Sequence, residues 1–197
     1  MIRPEVILFD VMGTIVREPF LAEVPAFFAT SREELYPLLS RQAWFAFERG
    51  ELDEAGFAAR FFKDGRDLDV DGLKAALVSG YDYLAGMDRL LADLCAAGVT
   101  MHALSNYPEW YQLIEDKLTL SRYLEWSFVS CQTGVRKPDS AAFTVPLARL
   151  GLAPEQCLLI DDRQGNCDGA RAVGLRALLF SDAATLRGEL AALGFAV

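Results

Sequence analysis

Val6-Ile7-Leu8-Phe9-Asp10-Val11-Met12-Gly13-Thr14 is an unbroken apolar run that ends in a carboxylate and then turns on a glycine. Apolar residues without alternation fit a strand covered on both faces, the habit of parallel sheets in α/β proteins. Such sheets bind ligands beyond the carboxyl ends of their strands, and Asp10 falls there. Gly13 permits a close backbone approach or a positive φ. Met12 is the odd residue, a thioether in the turn that follows the acid.

From Met87 onward helices and strands alternate. Leu90, Leu91, Leu94 and Cys95 make a helical stripe that Gly98 ends. The pattern predicts strands over 99–104, 126–131, 158–161 and 175–180, with helices over 108–116, 141–150 and 166–173. This is βαβ repetition. With the first strand it predicts a Rossmann-like parallel five-stranded sheet, helices on both faces, and right-handed crossovers. Residues 17–85 differ: they are aromatic-rich and helical in period, with Ser31 and Glu34 spaced as a capping box. The expected organisation is therefore an α/β core of residues 1–16 and 86–197, interrupted by an all-helical cap domain at 17–85.

At 197 residues with 52% hydrophobic content and 13 Phe, the chain suffices for one core with a smaller insert. Its net charge of −9 argues against nucleic-acid binding, which needs a basic face. No apolar run approaches the roughly 18 to 20 residues of a membrane span, and Met1-Ile2-Arg3-Pro4 leads into too short a run for a signal peptide. Cys95, Cys131, Cys157 and Cys167 form no CxxC pair, so neither a zinc site nor a disulfide framework is indicated. A cytoplasmic protein is expected.

The predicted strand ends carry a telling set: Asp10, then Ser105-Asn106, then Lys137-Pro138, then Asp161-Asp162 ahead of Ala170 to Gly174. In this the chain resembles the haloacid dehalogenase-like superfamily. That family's four motifs are an apolar strand ending DxDGT, a strand-ending Ser or Thr, a lysine often followed by proline, and an apolar strand ending in acids. All four occur here in order, with the helical insert where members with a four-helix cap carry theirs.

Asp10, Asp161 and Asp162 would meet at one sheet edge, and like carboxylates a few ångströms apart need a cation to stay ionised together. All-oxygen ligation suits Mg²⁺. The resemblance implies that Asp10, the Met12 carbonyl and a fourth-motif carboxylate hold the ion, the register favouring Asp162 over Asp161. It implies Asp10 as nucleophile towards phosphorus, forming an aspartyl-phosphate, with Ser105 and Lys137 stabilising the transferring group. Asn106 and Thr14 join them as expected substrate contacts, and the substrate class is a small phosphorylated metabolite. Simpler roles stand beside these: Ser105 and Asp162 are also good helix N-caps, as is Asn166.

Met12 replaces the residue that in the family's phosphatases protonates the leaving group. Three readings follow. One is a Mg²⁺-dependent phosphatase with a good leaving group or an acid recruited from the insert, such as Glu18. The second is a metal-independent 2-haloacid dehalogenase, whose halide leaves without a proton. The third is a low-turnover member that binds a phosphorylated ligand or a protein. His102 and Cys167 read as structural residues. Trp44, Phe45, Phe47, Phe61 and Phe62 read as insert core with one or two facing a substrate, and Arg17, Arg41, Arg136 and Arg163 are candidate anion contacts.

Overall fold

The computed structural model describes residues 3–197. Met1 and Ile2, which open the stretch read as too short for a leader, lie outside the described residues. Five parallel strands form one sheet in the order β3-β2-β1-β4-β5: β1 Val6–Phe9, β2 Thr100–Ser105, β3 Glu125–Val129, β4 Cys157–Asp161 and β5 Arg176–Leu179. β1 lies at the centre, pairing Val6 with Thr100 on one side and with Cys157 on the other. Ile7, Leu8 and Phe9 are completely buried, as the opening run predicts.

Alternate residues of each strand serve opposite faces. Ile7, Phe9, Met101, Ala103, Leu158 and Ile160 join the larger core cluster, with α6 (Met87–Ala96) and α11 (Ala183–Ala192) supplying Leu90, Leu94, Leu186 and Leu190. Val6, Leu8, Leu104 and Leu159 face a smaller cluster with Phe143 of α9 (Ala141–Leu150) and Ala170 of α10 (Gln164–Ala172). Each such buried side chain contributes about 1.5–3 kcal/mol. α6 ends at Ala96 and Gly98 follows at φ +72°, the left-handed stop its sequence suggested.

Between β1 and α6 the chain forms α1 (Glu23–Phe27), α2 (Arg32–Leu35), α3 (Arg41–Glu48), α4 (Glu54–Ala58) and α5 (Val70–Gly80). The Ser31–Glu34 capping box forms in both directions, at 3.2 and 3.3 Å. Phe47 and Phe57 stack at 4.5 Å and meet Trp110 edge-on, which packs this layer against the region after β2. The excursion departs and returns side by side: Val16 pairs antiparallel with Tyr83, the Arg17 amide donates to Asp82 and the Leu84 amide to Ile15.

Boundaries moved where side chains intervene. β3 stops at Val129 rather than at 131, and the chain turns into α8 (Ser130–Thr133), because Ser130 Oγ donates to the Glu48 carbonyl while accepting from the Tyr107 amide. The helix predicted at 108–116 is α7, Tyr111–Leu118, so Ser105 is not its cap. α10 begins at Gln164, and neither Asp162 nor Asn166 caps it.

Candidate active site

The sheet order brings the ends of β1, β2 and β4 together. The Asp10 amide donates to Ile160 at 2.9 Å, extending the β1–β4 ladder by one residue and fixing the acid at the sheet edge. The chain then turns: Gly13 N donates to Val16 and Val16 N to Val11. Gly13 stands at φ +83°, and a Cβ there would lie 2.6 Å from Asp162 Oδ2. The turn and the end of β4 thus touch through a position that only glycine fits.

Lys137 is the hub. Its side chain is 1% exposed, and Nζ reaches Asp10 Oδ1 at 2.8 Å and Asp161 Oδ2 at 2.6 Å. Burial pushes the Asp10 carboxyl up to about 7, with Lys137 pulling it down and Asp161 and Asp162 pushing it further up. Burial alone would lower the lysine, but the two carboxylates outweigh it and hold its ammonium above the usual range. Thr14, fully buried, donates to Asp10 Oδ2 at 3.4 Å, supporting the acid from behind the cavity.

The two fourth-motif acids differ. Asp161 is completely buried and saturated by Lys137, by Asn166 Nδ2 at 2.9 and 3.0 Å and by the Arg163 amide. Asp162 turns towards the Gly13 loop, and its buried Oδ1 has no hydrogen-bond partner among the described residues. Burial raises its carboxyl pKa, as does neighbouring Asp161. Oxygens of Asp10, Asp161 and Asp162 come within 4.8 Å of one another. A cluster of hard oxygens with one buried and unpartnered fits Mg²⁺, which favours carboxylates and retained waters.

Ser105 ends β2 and is 2% exposed. Asn106 borders the cavity, yet both ends of its amide are engaged: Nδ2 donates to the Lys137 carbonyl and Oδ1 accepts from the Lys137 amide, each at 2.8 Å. Asn106, expected as a substrate contact, lines the cavity and also clamps the lysine backbone. Met12 is 6% exposed and lines the cavity.

Above this floor lies a cavity of about 580 Å³ walled largely by the insert, with Phe20, Tyr36, Trp44, Phe45 and Phe61 among its lining residues. Of the arginine candidates, Arg41, Arg136 and Arg163 reach it, while Arg17 instead pairs with Glu23 at 2.6 Å. Arg136 lies over the Phe45 ring, 3.8 Å from its centroid, and bonds Glu48 at 2.8 Å. Glu48, Tyr107 and Arg32 were not singled out from the sequence. Glu48 is 5% exposed, and its place beside Trp44 on α3 carries no mark in the pattern that separates it from a solvated acid. His102, read as a structural residue, bonds Ser127 at 2.8 Å beside Phe128, and burial pushes the thiol of Cys167, read likewise, up to about 11.

The haloacid dehalogenase-like hydrolase family pattern matches residues 4–174. This protein belongs to that family of hydrolases. It is 46% identical over 192 residues to the chloroplastic flavin mononucleotide hydrolase 1 of Arabidopsis thaliana, spanning 98% of this chain and 78% of the relative. It is 24% identical to phosphoglycolate phosphatase 1 of Pseudomonas aeruginosa, over 88% of this chain and 68% of that one. A solved family enzyme from Bacteroides thetaiotaomicron, in complex with magnesium and inorganic phosphate, shares the fold at TM-score 0.70 and 18% identity, covering 91% of this chain and 95% of its own. The named relatives act on small phosphorylated molecules, and the Asp10–Asp161–Asp162 cluster of this chain could hold a divalent ion such as the magnesium of the Bacteroides enzyme. No helix of the described residues is long and apolar enough to cross a membrane.

Proposed function

We propose that this hydrolase removes the phosphate of flavin mononucleotide, using Asp10 as nucleophile. The observation that carries the reading is the cavity: an Asp10–Lys137 floor for a phosphoryl group, beneath aromatic walls sized for a planar ring system. About 580 Å³ is within the range of small-molecule sites, and faces and edges of aromatic side chains suit stacking on an isoalloxazine ring. The likeness to the Arabidopsis flavin mononucleotide hydrolase supports the same substrate.

In this reading Asp10, the Met12 carbonyl and Asp162 hold Mg²⁺. Asp161 is left to anchor Lys137, because its carboxylate is already saturated. The ion, when bound, would supply charge neutralisation for the transferring phosphoryl group. Asp10 attacks phosphorus in line, Lys137 and Ser105 stabilise the equatorial oxygens, and Asn106 and Thr14 hold Lys137 and Asp10 in place. Residues 17–85 act as the specificity cap over a core of 1–16 and 86–197. A 2-haloacid fits less well, since its carboxylate would face the unpartnered oxygen of Asp162. Nucleic acid is not a partner in this reading. Four free cysteines suit a reducing compartment such as the cytoplasm, although the Arabidopsis relative is chloroplastic.

The test is phosphate release from flavin mononucleotide, phosphoglycolate and p-nitrophenyl phosphate, with Mg²⁺ and with EDTA, and with Asp10→Asn as control. Flavin mononucleotide should show the highest kcat/KM, by tenfold or more, and lose turnover in EDTA and in the variant. Hydrolysis of the other esters with flavin mononucleotide untouched would overturn the substrate, and full activity of Asp10→Asn would overturn the mechanism.

A further inference from the structure

We propose that Glu18 is the catalytic acid and base, performing the proton transfers that Met12 cannot. The inference rests on the phosphatase reading of this same site. Three carboxyl side chains line the cavity: Asp10, Glu18 and Glu48. Asp10 is bound to Lys137 and is the nucleophile. Glu48 has both oxygens occupied, Oε1 by Trp44 Nε1 at 2.7 Å and Oε2 by Arg136 Nε at 2.9 Å. Tyr107 also borders the cavity, but its hydroxyl is paired with that of Tyr81 at 2.7 Å. Glu18 differs from all of these: Oε1 accepts only the Phe20 amide, at 3.3 Å, and Oε2 accepts no hydrogen bond among the described residues.

The local fold brings Glu18 to this place. The Met12–Val16 bridge and the Arg17 amide bond to Asp82 return the chain beside the nucleophile turn, so the first residues of the insert border the cavity that Asp10 and Met12 also line. Buried Pro19 and the bond from the Phe20 amide hold the Glu18 side chain in position. The charged groups around it are Arg163, Asp162 and Glu48. Burial holds its carboxyl above the usual range, aided by Asp162 and Glu48 and opposed by the Phe20 amide and Arg163, which favours the protonated form that an acid needs.

The steps balance. As the Asp10 carboxylate forms its bond to phosphorus, the ester P–O bond breaks and the leaving alkoxide takes the Glu18 proton. The Glu18 carboxylate then takes a proton from water as that water attacks phosphorus. The P–O bond to Asp10 breaks, and inorganic phosphate and the starting protonation states result.

Glu18→Gln keeps an acceptor for the Phe20 amide and removes only the proton. Positioned acid–base groups contribute about 10²–10⁴-fold in rate. For an alkyl phosphate such as flavin mononucleotide, kcat/KM of the variant should fall at least about a hundredfold. For p-nitrophenyl phosphate, whose leaving group needs no proton, kcat/KM should change less than about tenfold, because it reports only steps up to phenolate departure. Water activation is still lost, so the aryl ester should give a burst of one equivalent of p-nitrophenolate followed by slow turnover. Adding Met12→Asp to the Glu18→Gln variant should restore turnover without a burst. Equal losses of kcat/KM on both esters with no burst would overturn the inference, as would unchanged turnover. If instead the wild type itself hydrolyses neither ester, the phosphatase reading fails first.

Discussion

Asp10→Asn should stabilise the metal-free protein, and by an amount that grows with pH. Burial beneath the sheet edge lifts the Asp10 carboxyl from 3.8 to about 7. An acid whose pKa is raised on folding binds its proton more tightly in the folded state. Folding is then favoured below the unfolded value and loses free energy as pH rises towards the folded one. At about 1.4 kcal/mol per unit, the shift amounts to about 4 kcal/mol by pH 8, where both states are ionised. At pH 5.5 only the unfolded chain has ionised, and the cost is about 2 kcal/mol. An asparagine mimics the protonated acid, so the variant's advantage in EDTA should be about 2 kcal/mol at pH 5.5 and about 4 kcal/mol at pH 8. Urea unfolding at the two pH values measures this, and Mg²⁺ at pH 8 should narrow the gap by binding the wild-type carboxylate. An advantage that does not change with pH, or a variant less stable than wild type at pH 8, would refute the claim that ionised Asp10 is held at a cost.

Two further outcomes follow from the same geometry. Gly13→Ala would place a methyl group 2.6 Å from Asp162 Oδ2 at φ +83°, so Mg²⁺ affinity should fall about 10–100-fold by calorimetric titration, with about 1–2 kcal/mol of backbone strain. Asn106→Ala leaves the Lys137 amide and carbonyl unbonded; it should cost about 2–4 kcal/mol in urea unfolding and lower kcat, with Asn106→Asp, which keeps the acceptor, falling between.

The sheet was legible because Val6 to Phe9 and Cys157 to Ile160 must be buried on both sides, and only a covered parallel sheet does that to a short run. Asp10 and the Asp161-Asp162 pair were legible because each closes an apolar strand, and a parallel sheet gathers its strand ends along one edge. Lys137 was legible only through the family resemblance, as a lysine followed by proline; its bonds to both Asp10 and Asp161 were not. The division of labour between Asp161 and Asp162 was less so. Register favoured Asp162, but the saturation of Asp161 depends on Lys137 and Asn166 arriving from other segments. The backbone clamp of Asn106 was hidden for the same reason: an amide beside a strand-end serine shows nothing of the Lys137 backbone it holds. Glu48 could not be found at all, since its partner Arg136 lies 88 residues away in sequence. The end of β3 was misplaced because Cys131 resumes the apolar pattern beyond Ser130, whereas Ser130 turns to tie the Glu48 carbonyl.

The pairing of Val16 with Tyr83 bears on how such a protein changes its diet. Paired residues lie about 5 Å apart, so the outgoing and returning chains cross a single seam rather than two separate ones. A short turn would close that seam, and so would any other module whose ends meet. The nucleophile, the lysine and the acidic pair all lie on the sheet side of it. A lineage can therefore exchange most of the wall that reads the body of the substrate in one recombination event, while the part that cuts the ester is inherited intact. Glu18 is the exception. It stands on the exchanged side, so a replacement module that lacked an acid there would arrive without its proton donor, unless position 12 became acidic as well.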